Sequence, residues 1–289
     1  MKNLINQLLR GIVIGVANII PGVSGGTMMV SMGIYDTLIH CITHLFKEFK
    51  QSVKTLLPYA VGMLVGIVAL ASVIDWGLEN YPLPTNTLFI GLILGGLGPL
   101  VKKVERGKIN IAAGIAFVVL FALIIWLGVQ RKDSIQNAES IDMNALQMLI
   151  MVFIGMIASA TMIIPGVSGS LVLMLLGYYK PVVNALSTLK DGLFSMNFSL
   201  LGQPVLMLLP FMLGIVIGIF GVAKLIEWLT TRYPTATYCG VLGLVVASPI
   251  SLLIQTDMTG LSFVTVLVSV LTLAVGFTGA YLLAKGSKE

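Results

Sequence analysis

Two short stretches rich in glycine, serine and proline interrupt apolar sequence, and their residue types could bind an anion. The stretch Pro21-Gly22-Val23-Ser24-Gly25-Gly26 recurs as Pro165-Gly166-Val167-Ser168-Gly169-Ser170. Glycines allow a ligand to approach the main chain, and hydroxyls donate hydrogen bonds. A helix that begins at such a break presents free N–H groups and the positive end of its dipole. We therefore predict a phosphate site built from Ser24, Gly25, Gly26, Thr27, Ser168, Gly169 and Ser170.

A simple packing kink is the alternative interpretation of each break, since Gly and Pro are common in membrane helices. Two matched breaks that both retain hydroxyls favour the anion site. By contrast, Gly62-x-x-x-Gly66 and Gly214-x-x-x-Gly218 are typical of closely packed membrane helices.

The composition indicates that lipid is the solvent of this chain. Of its 289 residues, 57% are hydrophobic and 10% are charged, and the mean hydropathy is +1.01. In a typical soluble domain, about a quarter of all residues are charged. The net charge of +5 comes from basic residues in short loops, where they set membrane orientation, so nucleic-acid binding is not expected. The N-terminal apolar run lacks a small-x-small cleavage site and is interpreted as retained.

The pattern of the whole chain indicates two copies of one unit. Glycine, proline and aromatic residues recur in step at Gly33/Gly177, Tyr35/Tyr179, Pro58/Pro210, Trp76/Trp228 and Tyr81-Pro82/Tyr233-Pro234. We predict a first repeat over residues 1–130, an external connecting loop over 131–145, and a second repeat over 146–289.

Each repeat contains four apolar pieces, of which the first carries the break. These first pieces span about 11–39 and about 146–179. Each arm of the break, at about 10 residues, would be about 15 Å long as a helix, half of a hydrocarbon core of about 30 Å. This predicts a re-entrant helical hairpin, with a single broken crossing as the alternative. The third pieces, about 86–101 and 237–254, are short for a crossing.

Loop charges predict the orientation. Basic residues place the N-terminus and the 47–54 and 101–108 loops in the cytoplasm, whereas the 75–86 and 131–145 loops lie outside. Three crossings and one hairpin per repeat satisfy every loop and put both termini in the cytoplasm. Because three is odd, the predicted fold is an all-α polytopic membrane protein with two inverted-topology repeats.

Several ionisable residues lie where they could act on an anion or couple its movement. Asp36 and Lys180 occupy equivalent repeat positions, so Lys180 could recruit phosphate at the outer mouth and Asp36 could favour release at the inner mouth. Arg10 could contact the head group at the inner interface. Asp75 and Glu227 are equivalent intramembrane acids and candidates for coupling. Interfacial anchoring is the alternative for all five residues.

The sequence predicts no metal, no cofactor and no catalytic residue. His40 and His44 are spaced four residues apart, with Cys41 between them, but no carboxylate partner is evident. The two cysteines define no disulfide framework.

A family signature overlaps the first break. The segment from Gly15 to Thr27, followed by Gly33-Ile34-Tyr35-Asp36, resembles the signature of the bacterial polyprenyl-phosphate transporter family (PopT), formerly a domain of unknown function. The resemblance implies a flippase in the bacterial cytoplasmic membrane, which returns undecaprenyl phosphate from the outer to the inner leaflet for peptidoglycan and cell-envelope synthesis. It also implies that the break residues hold the phosphate. Asn18 stands where many members have Asp.

Two other functions remain as alternatives at this point. A membrane polyprenyl-diphosphate phosphatase also uses inverted repeats and a Pro-Gly-x-Ser motif, but it needs a cation and acid–base groups that the breaks lack. A small-anion permease would need a water-filled path.

Overall fold

The described parts of the chain fold into helices joined by short turns. The computed structural model describes residues 2–19, 23–105, 107, 109–130, 143–195, 197, 201–256, 258 and 261–285. The helices of the first repeat are α1 Lys2–Ile19, α2 Gly25–Ser31, α3 Tyr35–Thr43, α4 Phe49–Asn80, α5 Pro82–Gly95, α6 Leu97–Glu105 and α7 Ile111–Gln130. Those of the second repeat are α8 Ala145–Ile163, α9 Gly169–Leu175, α10 Tyr179–Phe194, α11 Gly202–Arg232, α12 Pro234–Gln255 and α13 Phe263–Lys285.

Seven helical segments within the described residues are long and apolar enough to cross a membrane. They are 49–70, 82–105, 111–129, 145–163, 202–232, 234–255 and 263–284, the second of which combines α5 and α6. Six crossings were expected, and α8 is the additional candidate. The multi-pass membrane class is therefore supported by the helices themselves.

The third pieces are longer than predicted. The segments 82–105 and 234–255 have 24 and 22 residues, so the expectation of short pieces was wrong. Pro82 and Pro234 start these helices, in the first turn, where proline loses no hydrogen bond. Polar residues that follow these prolines extend each helix beyond its apolar stretch.

The arms of the two breaks are unequal, which corrects the predicted equal arms of about 10 residues. Before the breaks, α1 has 18 residues and α8 has 19, whereas α2 and α9 have seven each. No Gly or Pro precedes Gly11 to stop α1. Asn144 begins α8 as an N-cap, since its side chain accepts a 2.8 Å hydrogen bond from the Gln147 N–H.

Glycines end both short helices in the same way. Gly33 and Gly177 have φ values of 67° and 79°, a left-handed conformation that glycine adopts without steric cost. After Gly33, the Ile34 N–H donates to the Met29 carbonyl at 3.0 Å, and Tyr178 donates to the Leu173 carbonyl at 2.9 Å. Both sites are Schellman-type helix ends. The repeated glycines thus end the short helix after each break in the same conformation.

A second repeated feature is the tight turn before the third apolar piece of each repeat. Tyr81 has φ −139° and ψ 59°, and Tyr233 has φ −132° and ψ 56°. The ring of Tyr81 lies 5.4 Å from that of Trp76, and the ring of Tyr233 lies 5.8 Å from that of Trp228. Equivalent residues therefore share backbone conformation and ring contacts.

Four long helix pairs build the bundle. Within the repeats, α1 packs along α4 and α8 along α11; between the repeats, α5 packs along α13 and α7 along α12. A Cβ on Gly62 would overlap the Leu8 carbonyl, and one on Gly214 would overlap the Val152 carbonyl. The close-packing role predicted for these glycines is confirmed.

The largest buried cluster surrounds the first break. It joins α1, α2, α5 and α12 through Ile14, Met28, Met32, Phe89 and Val245, each at most 2% exposed. The region around the first break is therefore the packed centre of the molecule.

Candidate functional site

The two breaks touch each other across the repeat boundary. The Gly166 N–H donates a 2.7 Å hydrogen bond to Thr27 Oγ1, and Ser24 Oγ donates to the Ile164 carbonyl at 3.4 Å. A Cβ on Gly26 would press on the Ile163 carbonyl oxygen, at 2.8 Å. Glycine at position 26 therefore lets the two chain segments cross. The Pro21-Gly22 turn lies outside the described residues.

A cavity of about 270 Å³ lies beside this crossing and is lined by residues of both breaks. Its polar lining comes from α1 and α8 as well as from the breaks, through Asn18, Ser24, Ser159, Ser168 and Ser170. Gly169 also lines it, whereas Thr27 is fully buried in the contact between the breaks. None of the described lining residues is charged. The cavity therefore offers hydroxyl and amide groups to a ligand.

The serine hydroxyls are not used to cap the short helices. Ser24 and Ser168 stand at the N-cap positions of α2 and α9 in extended conformation, but neither side chain makes a capping hydrogen bond. Ser168 Oγ instead lies 2.9 Å from Ser170 Oγ. Ser24 does not cap α2, because its hydroxyl donates to the Ile164 carbonyl of the other repeat.

The free N–H groups predicted at the first break are only partly available. The Gly25 N–H donates to Asn18 Oδ1 at 3.2 Å, so an amide of α1 already occupies it. The helices that follow the breaks have only seven residues, which limits their dipole. Side-chain hydroxyls are consequently the main donors of the cavity.

One side of the cavity reaches the apolar outer surface. Met162 of α8 and Val183 of α10 line the cavity, and they are 42% and 40% exposed. Leu173 and Phe211 add apolar lining further in. The cavity lining thus combines polar groups of the breaks with apolar residues of α8 and α10 that also face the outer surface.

Two residues that line the cavity have larger, buried counterparts in the first repeat. Val183 corresponds to Ile39, which is 3% exposed, and Ala158 corresponds to Ile14, which is 1% exposed. Larger side chains occupy these positions of the first repeat and pack into the buried cluster around the first break. The cavity is therefore a feature of the second repeat, to which the first repeat contributes Asn18, Val23 and Ser24.

Two predicted cations lie outside the cavity lining. Lys180 is exposed and directly follows Tyr179, a lining residue. Arg10 is 5% exposed and donates a 2.6 Å hydrogen bond from Nη2 to the Leu283 carbonyl near the end of α13. Its buried Nε has no hydrogen-bond partner among the described residues. Arg10 therefore joins α1 to α13.

Asp36 lies at a second, much smaller cavity. Its carboxylate pairs with Lys103 and accepts a 3.3 Å hydrogen bond from the Tyr238 hydroxyl. These residues and Tyr35 line a space of about 20 Å³. The Tyr35 hydroxyl is buried without a partner among the described residues. The group links α3, α6 and α12.

The two predicted coupling acids have different outcomes. The side chain of Asp75 lies outside the described part of the structure. Glu227 Oε1 lies 3.2 Å from His40 Nδ1 and 3.4 Å from His44 Nδ1. The two histidines therefore have a carboxylate partner. The sequence did not indicate it, because Glu227 is far from both histidines along the chain. Cys41, between them, is 7% exposed, and burial raises the pKa of its thiol.

Several residues that line the cavity were not predicted from the sequence as site residues. Asn18 and Met162 occupy equivalent positions before the breaks, and Ser159 lies one turn before Met162. A polar residue on an apolar helix, such as Asn18 or Ser159, was the available signal. Tyr179 and Phe211 carried no such signal, because aromatic residues are ordinary core components.

The chain is similar in sequence to known proteins. The family model described as VCA0040-like, undecaprenyl phosphate translocase-like, matches residues 14–265. A polyprenyl-phosphate transporter of Vibrio cholerae serotype O1 is 29% identical over 260 residues, which cover 85% of this chain and 76% of that protein. A polyprenyl-phosphate transporter of Staphylococcus aureus is 28% identical over 245 residues, covering 84% and 83%. No solved structure matches the chain. Since the model spans most of the sequence, the chain belongs to the undecaprenyl phosphate translocase-like family.

Proposed function

We propose that this protein is a flippase that moves undecaprenyl phosphate from the outer to the inner leaflet, with the phosphate held by the two Ser-Gly breaks. The observation that carries the proposal is the single cavity lined by Ser24 from one break and by Ser168 and Ser170 from the other. Hydroxyl hydrogen bonds to an anion are stronger than those between neutral groups. The names of the two relatives support a polyprenyl phosphate as the ligand.

The shape of the cavity supports a lipid substrate. A polyprenyl phosphate must keep its tail in the bilayer while its head is desolvated. The exposed apolar residues Met162 and Val183 provide an opening toward lipid beside the polar end of the cavity. A soluble anion would gain nothing from such an opening. None of the described lining residues is charged, which favours release of the phosphate over its permanent binding in the cavity.

Helix directions support inverted repeats. Successive glycine contacts, Gly91 on Leu273 and then Gly95 on Phe277, show that α5 and α13 run parallel. The segment 82–105 returns into α7 through a short turn, so we infer that α7 runs opposite to α5. Since α13 is the repeat counterpart of α7, the two copies would be inverted, as in many secondary transporters.

The unequal filling of the two repeats supports an outward-facing state. The predicted topology places the break of the second repeat on the outer side, and this is the repeat with the open cavity. The first repeat, facing inward, is packed, and the Asp36–Lys103 pair bridges its helices. In this state the protein would accept the lipid from the outer leaflet.

Reconstituted translocation tests the proposal. In liposomes containing a polyprenyl phosphate, the wild type should transfer the lipid between leaflets. Replacing Ser168 and Ser170 together by Ala should slow transfer by at least about 10-fold, because a hydrogen bond to a charged group contributes about 1.5–3 kcal/mol. The matched control is Ser248→Ala, since that buried hydroxyl bonds to the Leu244 carbonyl outside the cavity.

The same preparation distinguishes the alternatives. Release of inorganic phosphate from a polyprenyl diphosphate would identify a phosphatase, and uptake of a soluble anion without lipid transfer would identify a permease. Either result, or equal transfer by the serine variant and the wild type, would contradict the proposal.

A further inference from the structure

Three metal-ligating side chains converge where α3 meets α11, away from the cavity residues. His40 and His44 lie one helical turn apart at the end of α3, and Glu227 lies in the last turns of α11. The imidazole rings of His40 and His44 are close, with centroids 4.1 Å apart. One ligand atom from each of the three residues lies within 4.8 Å of the other two. The chain has only two histidines, and both are in this cluster.

The spacing of these atoms fits a metal site. Glu227 Oε1 is 3.2 Å from one Nδ1 atom and 3.4 Å from the other. Ligands bound at about 2.0–2.1 Å in a tetrahedron are about 3.3 Å apart, from the geometry of zinc sites. The 3.2 Å distance also forms a hydrogen bond between His40 and Glu227, which a bound ion would replace. The carboxylate oxygen thus stands at ligand spacing from both imidazoles.

The surroundings allow an ion to enter. The side chains of His40, His44 and Glu227 are 54%, 28% and 30% exposed, so all three are partly open at the protein surface. The Thr43 hydroxyl donates to the His40 carbonyl and lies 3.0 Å from His44 Nδ1, so an ion bound at that nitrogen would replace the contact with Thr43.

The ligand types define the class of ion. Two imidazole nitrogens and one carboxylate oxygen suit zinc and its transition-metal neighbours, whereas magnesium and calcium prefer oxygen ligands alone. Three protein ligands leave one tetrahedral position for water. We propose that His40, His44 and Glu227 bind one divalent transition-metal ion of the zinc class, which fastens α3 to α11.

The position gives such an ion a structural consequence. Toward its N-terminus, α3 carries Asp36 of the small cavity, while α11 supplies Phe211 and Ile215 to the large one. An ion bound to both helices would therefore restrain the first repeat against the second. This inference is independent of the proposed lipid transport.

Metal titration of the tag-free full-length protein tests the inference. Competition with a chromophoric chelator should show one equivalent of Zn²⁺ bound, whereas Mg²⁺ should not compete. His44→Ala and Glu227→Gln should each weaken binding at least about 10-fold, the loss expected when a ligand of a three-residue site is removed. Glu79→Gln changes an exposed carboxylate at the end of α4 and should bind Zn²⁺ as the wild type does.

A second measurement separates metal binding from folding. Zn²⁺ should raise the unfolding temperature of the wild type in a concentration-dependent way, since a ligand that binds the folded state stabilises it. The Glu227→Gln protein, with a normal metal-free unfolding temperature, should need at least about 10-fold more Zn²⁺ for the same rise. Failure of the wild type to bind one equivalent at a zinc concentration of about 1 mM, or equal binding by Glu227→Gln, would overturn the inference.

Discussion

The Gly166 N–H donates a 2.7 Å hydrogen bond to Thr27 Oγ1, which ties the turn of one repeat to the short helix of the other. Thr27 is fully buried, and Gly166 is buried with a φ of 84°. A buried N–H without an acceptor is costly because it loses water and gains nothing. This bond therefore fixes the position in which the two breaks meet beside the cavity.

Replacing Thr27 by Val should destabilise the protein by about 1–3 kcal/mol, because the Gly166 N–H would remain buried and unsatisfied. Thermal unfolding in detergent measures this as a lower unfolding temperature. Thr27→Ser keeps the oxygen and should stay close to the wild type. A valine variant as stable as the serine variant would show that this bond does not hold the breaks together.

Gly214→Ala should destabilise the α8–α11 contact by about 1–3 kcal/mol, the usual cost of overpacking. A Cβ on Gly214 would overlap the Val152 carbonyl, whereas one on Gly221, in the same helix, would meet nothing within 4 Å. Gly221→Ala should therefore be neutral or stabilising by about 0.5–1 kcal/mol. Thermal unfolding of the two variants gives the comparison; a similar loss in both would show that the contact of Gly214 with Val152 does not decide the effect.

The matching helix ends and turns were the most predictable part of this fold, because the repeated glycine and tyrosine residues determine them locally. Gly33 and Gly177 reverse the chain in one conformation, and Tyr81 and Tyr233 begin matching turns. Such residues act through local dihedral preferences, which sequence displays directly. Helix lengths were less predictable, since α1 continues through polar residues that apolar periodicity does not count.

The candidate site was only half predictable. The serines and glycines of the breaks stood out because they are polar or small in apolar surroundings. The difference between the two repeats was not visible in the sequence. It depends on equivalent residues of different volume, such as Ala158 and Ile14, and their effect appears only when the helices are packed. The contact of Glu227 with His40 was also hidden, because α3 and α11 are far apart in sequence.

The Asp36–Lys103 pair should contribute about 0.2–1 kcal/mol, the range for partly exposed ion pairs. Their side chains are 42% and 37% exposed. A double-mutant cycle with Asp36→Asn and Lys103→Met should yield a coupling energy in this range, reduced by salt. Lys102, which precedes Lys103 in α6, is exposed and provides the matched control. Equal coupling of Asp36 to Lys102 and Lys103 would rule out a specific pair.

A tryptophan at position 183 should block lipid entry. Val183 lines the opening between α8 and α10, and a larger ring would fill it. We expect Val183→Trp to slow translocation in liposomes while leaving the unfolding temperature unchanged. Leu186→Trp places the same ring on α10 at a position that is 51% exposed and does not line the cavity, so it should remain active. Equal activity of both variants would argue against entry at this opening.

Lys180→Ala should lower the translocation rate most at low substrate concentration, because an exposed cation next to Tyr179 can attract a phosphate to the cavity mouth. The expected loss is about fivefold, equivalent to about 1 kcal/mol for one basic residue near anionic head groups. Lys180→Arg should retain the rate, and added salt should reduce the difference between wild type and alanine variant because exposed charges are screened. Lys224→Ala removes an exposed cation from α11 and serves as the control. A loss that is equal in both alanine variants would indicate a general surface-charge effect, whereas a salt-independent loss at Lys180 would place its ammonium group in direct contact with the bound phosphate.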